Sequence, residues 1–116
     1  SNYKLDVNGS GNFNGTLTAK SFIPSSDRNL KDNILDLNDD YVIKVESVEF
    51  KEFNFKDDES RTKYFGVIAQ ELQELGLDDL VHKDLTGNLG VDYIALLILE
   101  IKSLKDKVTK LENKLN

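Results

Sequence analysis

The last twenty-odd residues constrain this chain more than any other stretch. Ile94, Leu97, Ile101, Leu104, Val108, Leu111 and Leu115 are spaced alternately three and four apart, an unbroken heptad seam. With Ile94 at position a, the g residues are Glu100 and Lys107, and the e residues five positions on are Lys105 and Glu112. In a parallel homo-oligomer both pairs bring opposite charges together. A helix packing inside its own chain has no need of that match. The first turns are also apolar off the seam, at Leu96, Ile98 and Leu99, so that end is expected to be buried against a globular part. Parallel self-association is therefore expected. The β-branched residues at a with Leu at d lean towards two strands.

The rest of the chain divides at Pro24, its only proline. Before it, Leu5, Val7, Phe13, Leu17, Ala19 and Phe22 alternate with polar residues, and Asn8-Gly9 and Asn14-Gly15 are hairpin or turn signals. So short a piece cannot bury a core alone. It reads as the end of a β-structured stalk whose core comes from neighbouring chains; the alternative, a disordered linker, needs no such regularity of Leu, Val and Phe. After Pro24, Leu30, Ile34 and Leu37 lie at helical spacing, predicting a helix over residues 27–37 that Asn38-Asp39-Asp40 ends. Residues 41–44 and 48–56 alternate as strands, with a bulge or turn expected at Lys51-Glu52. Residues 57–61 form a polar loop. A strand over 62–68 leads into a short helix, 69–75, stopped by Gly76. Residues 80–85 and 89–91 make a hairpin around Thr86-Gly87-Asn88, and one long helix runs from Asp92. The fold class is α+β: a short β stalk end (1–25), a small mixed globular part (26–92) and a C-terminal helix (93–116).

Composition removes whole function classes. With a net charge of −6 among 116 residues, the chain lacks the basic face that a nucleic-acid or anionic-membrane partner needs. No cysteine and one histidine, His82, leave no thiolate chemistry and no His-rich metal cluster. No apolar run approaches the ~20 residues of a membrane span. Gly9-Ser10-Gly11 with Gly15 is no dinucleotide fingerprint, since no helix follows. Asp36, Asn38 and Asp40 lack the glycine and distal glutamate of a calcium loop. His82 is assigned no role, and Glu71 and Glu74 read as a solvated helix face. No cofactor is expected.

One constellation is left, in Ser25-Ser26-Asp27-Arg28-Asn29-Leu30-Lys31. Ser26 is a candidate nucleophile and Lys31 its candidate base. A lysine serves as base only when neutral, a drop of roughly three units from ~10.4 that burial in an apolar site can supply. Five residues along an ideal α-helix is a rotation of about 140°, which separates the two side chains. A working pair therefore needs Ser26 extended, just outside the helix, with Lys31 curling back, or a Lys31 supplied by a neighbouring chain. On spacing alone, Ser26 as helix N-cap and Lys31 as a solvated lysine is the better reading.

Three stretches together carry a resemblance. Residues 26–34, SDRNLKDNI, look like a signature S-D-x-x-L-K-x-N-I; residues 66–71 read GVIAQE; and Val91-Asp92-Tyr93 leads into a long amphipathic helix. The chain from residue 22 on resembles the C-terminal intramolecular chaperone domain of phage tail spikes, tail fibres and neck appendages, the endosialidase-type autoprocessing family. The segment before it looks like phage fibre repeats. The resemblance implies a homotrimer, deciding three strands over two, whose folding client is the upstream fibre segment of the same chain. It implies release by cleavage between Ser25 and Ser26, with Ser26 as nucleophile and Lys31 as general base, in a virion tail precursor made in the host bacterial cytoplasm. Two other readings stand beside it: a permanent trimerisation module that does not cleave, and the related domain of membrane-bound eukaryotic transcription factors. The acidic chain, the lack of a membrane segment and the Gly/Asn stalk disfavour the last. Replacing Ile101 and Leu104 by Asp should dissociate the oligomer, since desolvated charges at a and d are costly. Sedimentation equilibrium reads this as a fall to monomer, against a trimer for the parent chain.

Overall fold

A computed structural model describes residues 2–37 and 39–116. Asn38, expected to help end the first helix, lies outside the described residues. The chain forms two units, Ser1–Ile34 and Leu35–Asn116.

In the first unit the Asn8-Gly9 and Asn14-Gly15 signals make bends, but no strand ladder forms among its described residues, all of them exposed. Of the two outcomes those signals allow, the described residues show the turn and not the hairpin. The helix expected over 27–37 is also replaced, by a single 3₁₀ turn at Arg28–Leu30. Helices this short need a buried face to persist, and Leu30 and Ile34 bury none. Asn33 adopts the left-handed conformation, φ 53°, which breaks any helical continuation.

The second unit is α+β. Its elements in order are α1 (Asp39–Lys44), β1 (Lys51–Phe53), β2 (Tyr64–Gly66), α2 (Ala69–Glu74), β3 (Val81–Lys83), β4 (Leu89–Val91) and α3 (Tyr93–Leu115). Residues 41–44 are helical rather than extended. Val42 and Val45, one helical turn apart, both reach the core, and Asp39 and Asp40 complement the dipole of the first turn. The strand-like alternation misled because Ile43 between them faces solvent. A regular ladder replaces the bulge expected at Lys51-Glu52: β1 pairs antiparallel with β2, Lys51 opposite Gly66 and Phe53 opposite Tyr64. Phe53, Phe55 and Tyr64 form an aromatic cluster beside this ladder, with centroid separations of 5.0 to 6.1 Å.

Helix α2 ends as its sequence indicates. Gly76 takes φ 78°, its N–H bonds the Gln73 carbonyl at 3.0 Å, and the Leu77 N–H bonds the Leu72 carbonyl at 2.9 Å. This double bond pattern at a left-handed glycine closes the helix and turns Leu77 into the core. The β3–β4 hairpin forms around residues 84–88. The Asp84 carboxylate accepts from the Thr86 N–H at 2.9 Å, the Thr86 hydroxyl at 2.6 Å and the Asn88 N–H at 3.0 Å. The Thr86 hydroxyl, chiefly, holds the Asp84 carboxyl below its ordinary range. Asp92 then caps α3 by accepting from the Ala95 N–H at 3.0 Å.

The core is Val42, Val45, Val67, Leu72, Leu77, Leu80, Leu96 and Leu99. Helix α3 contributes Leu96 and Leu99 from one face. Of the off-seam apolar residues expected to be buried, Ile98 stays exposed.

Tyr93 ties the start of α3 to the end of β2. Its hydroxyl accepts from the Val67 N–H at 3.0 Å and lies against Gly66, where a Cβ would meet the hydroxyl oxygen and lie 3.0 Å from the ring carbon bearing it. Gly66→Ala should therefore cost about 1–3 kcal/mol by overpacking, and Tyr93→Phe about 1–2 kcal/mol by leaving a half-buried N–H unpaired. Denaturant unfolding should show the double variant losing less than the sum, because removing the oxygen relieves the contact the alanine creates.

Candidate active site: the Ser26–Lys31 pair

The site is built on one turn of backbone. Asp27 is extended (φ −67°, ψ 131°), and its carboxylate accepts from the Asn29 N–H at 2.9 Å. The Leu30 N–H bonds the Asp27 carbonyl at 3.0 Å and the Lys31 N–H bonds the Arg28 carbonyl at 3.1 Å. Lys31 returns to an extended conformation, φ −119° and ψ 145°. The backbone thus makes one tight turn between two extended residues.

Across that turn the Lys31 ammonium donates to the Ser26 hydroxyl, Nζ to Oγ, at 2.8 Å. The expected N-cap role of Ser26 is not the observed one: Asp27 takes the cap, one residue later, and leaves Ser26 Oγ free for the lysine. The i to i+5 spacing that an α-helix would splay apart is closed by a 3₁₀ turn with an extended residue on either side. Ser25, Ser26 and Lys31 are all exposed in the single chain.

The other titratable residues weighed from sequence belong to the second unit. His82 is exposed on β3, opposite Gly90. Glu71 and Glu74 sit on α2, the first half-buried and the second exposed. Asp36 is exposed, and Asp40 pairs with Lys44 at 3.0 Å. Lys44 also reaches the Gly76 carbonyl at 3.4 Å, while the Tyr41 hydroxyl donates to Asp79 at 2.6 Å, which pushes the Tyr41 phenol above its ordinary value. These bonds join α1 to the segment after α2 and are structural. Among the described residues, no helix is long and apolar enough to cross a membrane.

Spacing alone gives Asp27 no role beyond opening the helix expected over 27–37; in the structure it is the cap that leaves Ser26 Oγ to the lysine. In the second unit, the Tyr93 hydroxyl joins the GVIAQE segment to the Val91-Asp92-Tyr93 segment through Gly66 and Val67. A tyrosine opening an otherwise aliphatic helix, with a glycine available to face it, was the available signal.

The seam of α3 is the second feature that the sequence singles out. Ile94, Leu97, Ile101, Leu104, Val108, Leu111 and Leu115 are exposed in the single chain, Leu104 by 62%. Beside it, Lys107 approaches Glu46 at 3.8 Å, and burial raises the Glu100 carboxyl while Lys107 opposes that shift.

Residues 26–82 match the family model described as chaperone of endosialidase, a peptidase family. This segment belongs to that family. The match opens on Ser26 and takes in Lys31 and the GVIAQE segment; comparison with curated proteins returned no match. The second unit, which holds most of the matched segment, is an α+β body whose heptad seam is exposed in the single chain.

Proposed function

We propose that this chain is an intramolecular chaperone that assembles a phage tail fibre, spike or appendage as a parallel homotrimer and then cuts itself free between Ser25 and Ser26. The observation that carries the reading is the 2.8 Å contact between Lys31 Nζ and Ser26 Oγ, inside a segment of the chaperone family.

The chemistry follows from where the serine sits. Its hydroxyl oxygen attacks the Ser25 carbonyl carbon, the carbonyl of its own peptide bond, through a five-membered ring. Neutral Lys31 takes the hydroxyl proton and returns it to the departing Ser26 nitrogen, so the C–N bond breaks as the C–O bond forms. The product is an ester between Ser25 and Ser26 Oγ. One water hydrolyses it, leaving a Ser25 carboxylate and a Ser26 α-amine.

Timing comes from burial. An apolar surround is what frees a lysine of its proton, and Ser26 and Lys31 are exposed in the single chain. The covering has to come from other chains, so cutting awaits assembly. The α3 seam supplies the means: it brings chains together in parallel and raises the effective concentration for pairing an upstream β-stalk, whose non-local contacts register slowly. Cleavage then leaves the fibre kinetically trapped.

Intact mass after expression with an upstream stalk tests the proposal. The parent chain should appear as two fragments divided at Ser25–Ser26. Ser26→Ala and Lys31→Arg should stay whole while still trimerising; arginine keeps the charge and cannot lose its proton. Ser25→Ala should cut nearly as well as the parent, because residue 25 contributes only its carbonyl. A trimeric parent chain that stays whole at mildly alkaline pH would leave the domain a permanent clamp.

A further inference from the structure

The turn that presents the pair has little to hold it. None of Arg28, Asn29 and Leu30 is buried, so no packing fixes their conformation. A lone 3₁₀ turn has poor hydrogen-bond geometry and forms at a net entropic cost. Three bonds close it: Leu30 N–H to the Asp27 carbonyl, Lys31 N–H to the Arg28 carbonyl, and Asn29 N–H to the Asp27 carboxylate. Two of the three acceptors belong to Asp27, and only its carboxylate can be removed by substitution. With the turn open, five extended residues span up to about 17 Å, beyond the reach of a lysine stem. Ser26 and Lys31 meet only when the turn is closed.

We infer that Asp27 is a positioning residue for the Ser26–Lys31 pair: its carboxylate caps the turn and selects the conformer in which Lys31 Nζ reaches Ser26 Oγ. The inference rests on the cleavage reading above for its consequence, and on geometry alone for the contact. Asp27 exchanges no proton in the reaction. What it supplies is an acceptor for one backbone N–H, a task an amide oxygen performs equally well.

The test follows the cut fraction over time by intact mass, from mildly acidic to mildly alkaline pH, in the full chain and in its Asp27→Ala and Asp27→Asn variants. Losing the cap should slow cutting about fivefold in Asp27→Ala, with no change in sedimentation. Asp27→Asn should cut at close to the parent rate, and all three should share one pH profile. Cutting at the parent rate by Asp27→Ala would overturn the inference. So would an Asp27→Asn variant as slow as the alanine with a displaced pH profile, since the charge would then matter and not the cap. A second readout is independent of cutting: the nuclear Overhauser contact between the Lys31 ε-methylene and the Ser26 β-methylene in the Ser1–Ile34 region of the intact chain. It should weaken several-fold in Asp27→Ala and keep its parent intensity in Asp27→Asn; parent intensity in both would overturn the inference. A parent chain that fails to cut sinks the cleavage reading, and the contact then still decides the role of Asp27.

Discussion

Helix α3 has two apolar faces, and one chain can cover only one of them. Leu96, Leu99 and Ser103 lie about half a turn around the helix from the heptad seam and are buried in the body of the second unit, Leu96 to 1% exposure. That burial fixes the helix to its own core, helped by the Asp92 cap and the Tyr93 hydroxyl on Val67. The seam is left facing out as a consequence. A continuous exposed apolar stripe of this length marks an interaction surface, and its heptad period fits the helices that the proposed trimer would bring together.

The seam charges acquire meaning from the same geometry. Burial disfavours the charged form of Glu100, and Lys107 is drawn towards Glu46 in the lone chain. In the proposed parallel trimer, Lys105 of a neighbour would face Glu100 and Glu112 of a neighbour would face Lys107. The partly buried carboxylate would then gain a second opposite charge besides Lys107. Surface pairs of this kind contribute little energy each, and their use is to fix direction and register.

The long helix α3, the Gly76 stop and the hairpin at residues 84–88 are legible in the sequence, because each rests on a sustained period or on a glycine whose backbone demand is specific. The helix expected over 27–37 failed because Leu30, Ile34 and Leu37 have the spacing of a buried face but remain exposed, and a turn at Asn33 prevails. Residues 41–44 are helical because the buried pair is Val42 and Val45, three apart, a spacing that shares a helix face but falls on opposite faces of a strand. The Ser26–Lys31 contact was legible only as a condition. Spacing required Ser26 to be extended and the lysine to fold back; Asp27, by taking the cap, meets that condition.

The proposed events run in one order: seam pairing, stalk registration, covering of the Ser26–Lys31 pair, and cutting. In that order the cut depends on assembly and not on the folded single chain. The most direct measurement is the rate of Ser25–Ser26 cleavage against total chain concentration, across the range in which sedimentation shows monomer giving way to trimer. The account predicts negligible cutting where the chain is monomeric and a rate that rises with the trimer fraction. Cutting at one constant first-order rate on both sides of the transition would contradict it.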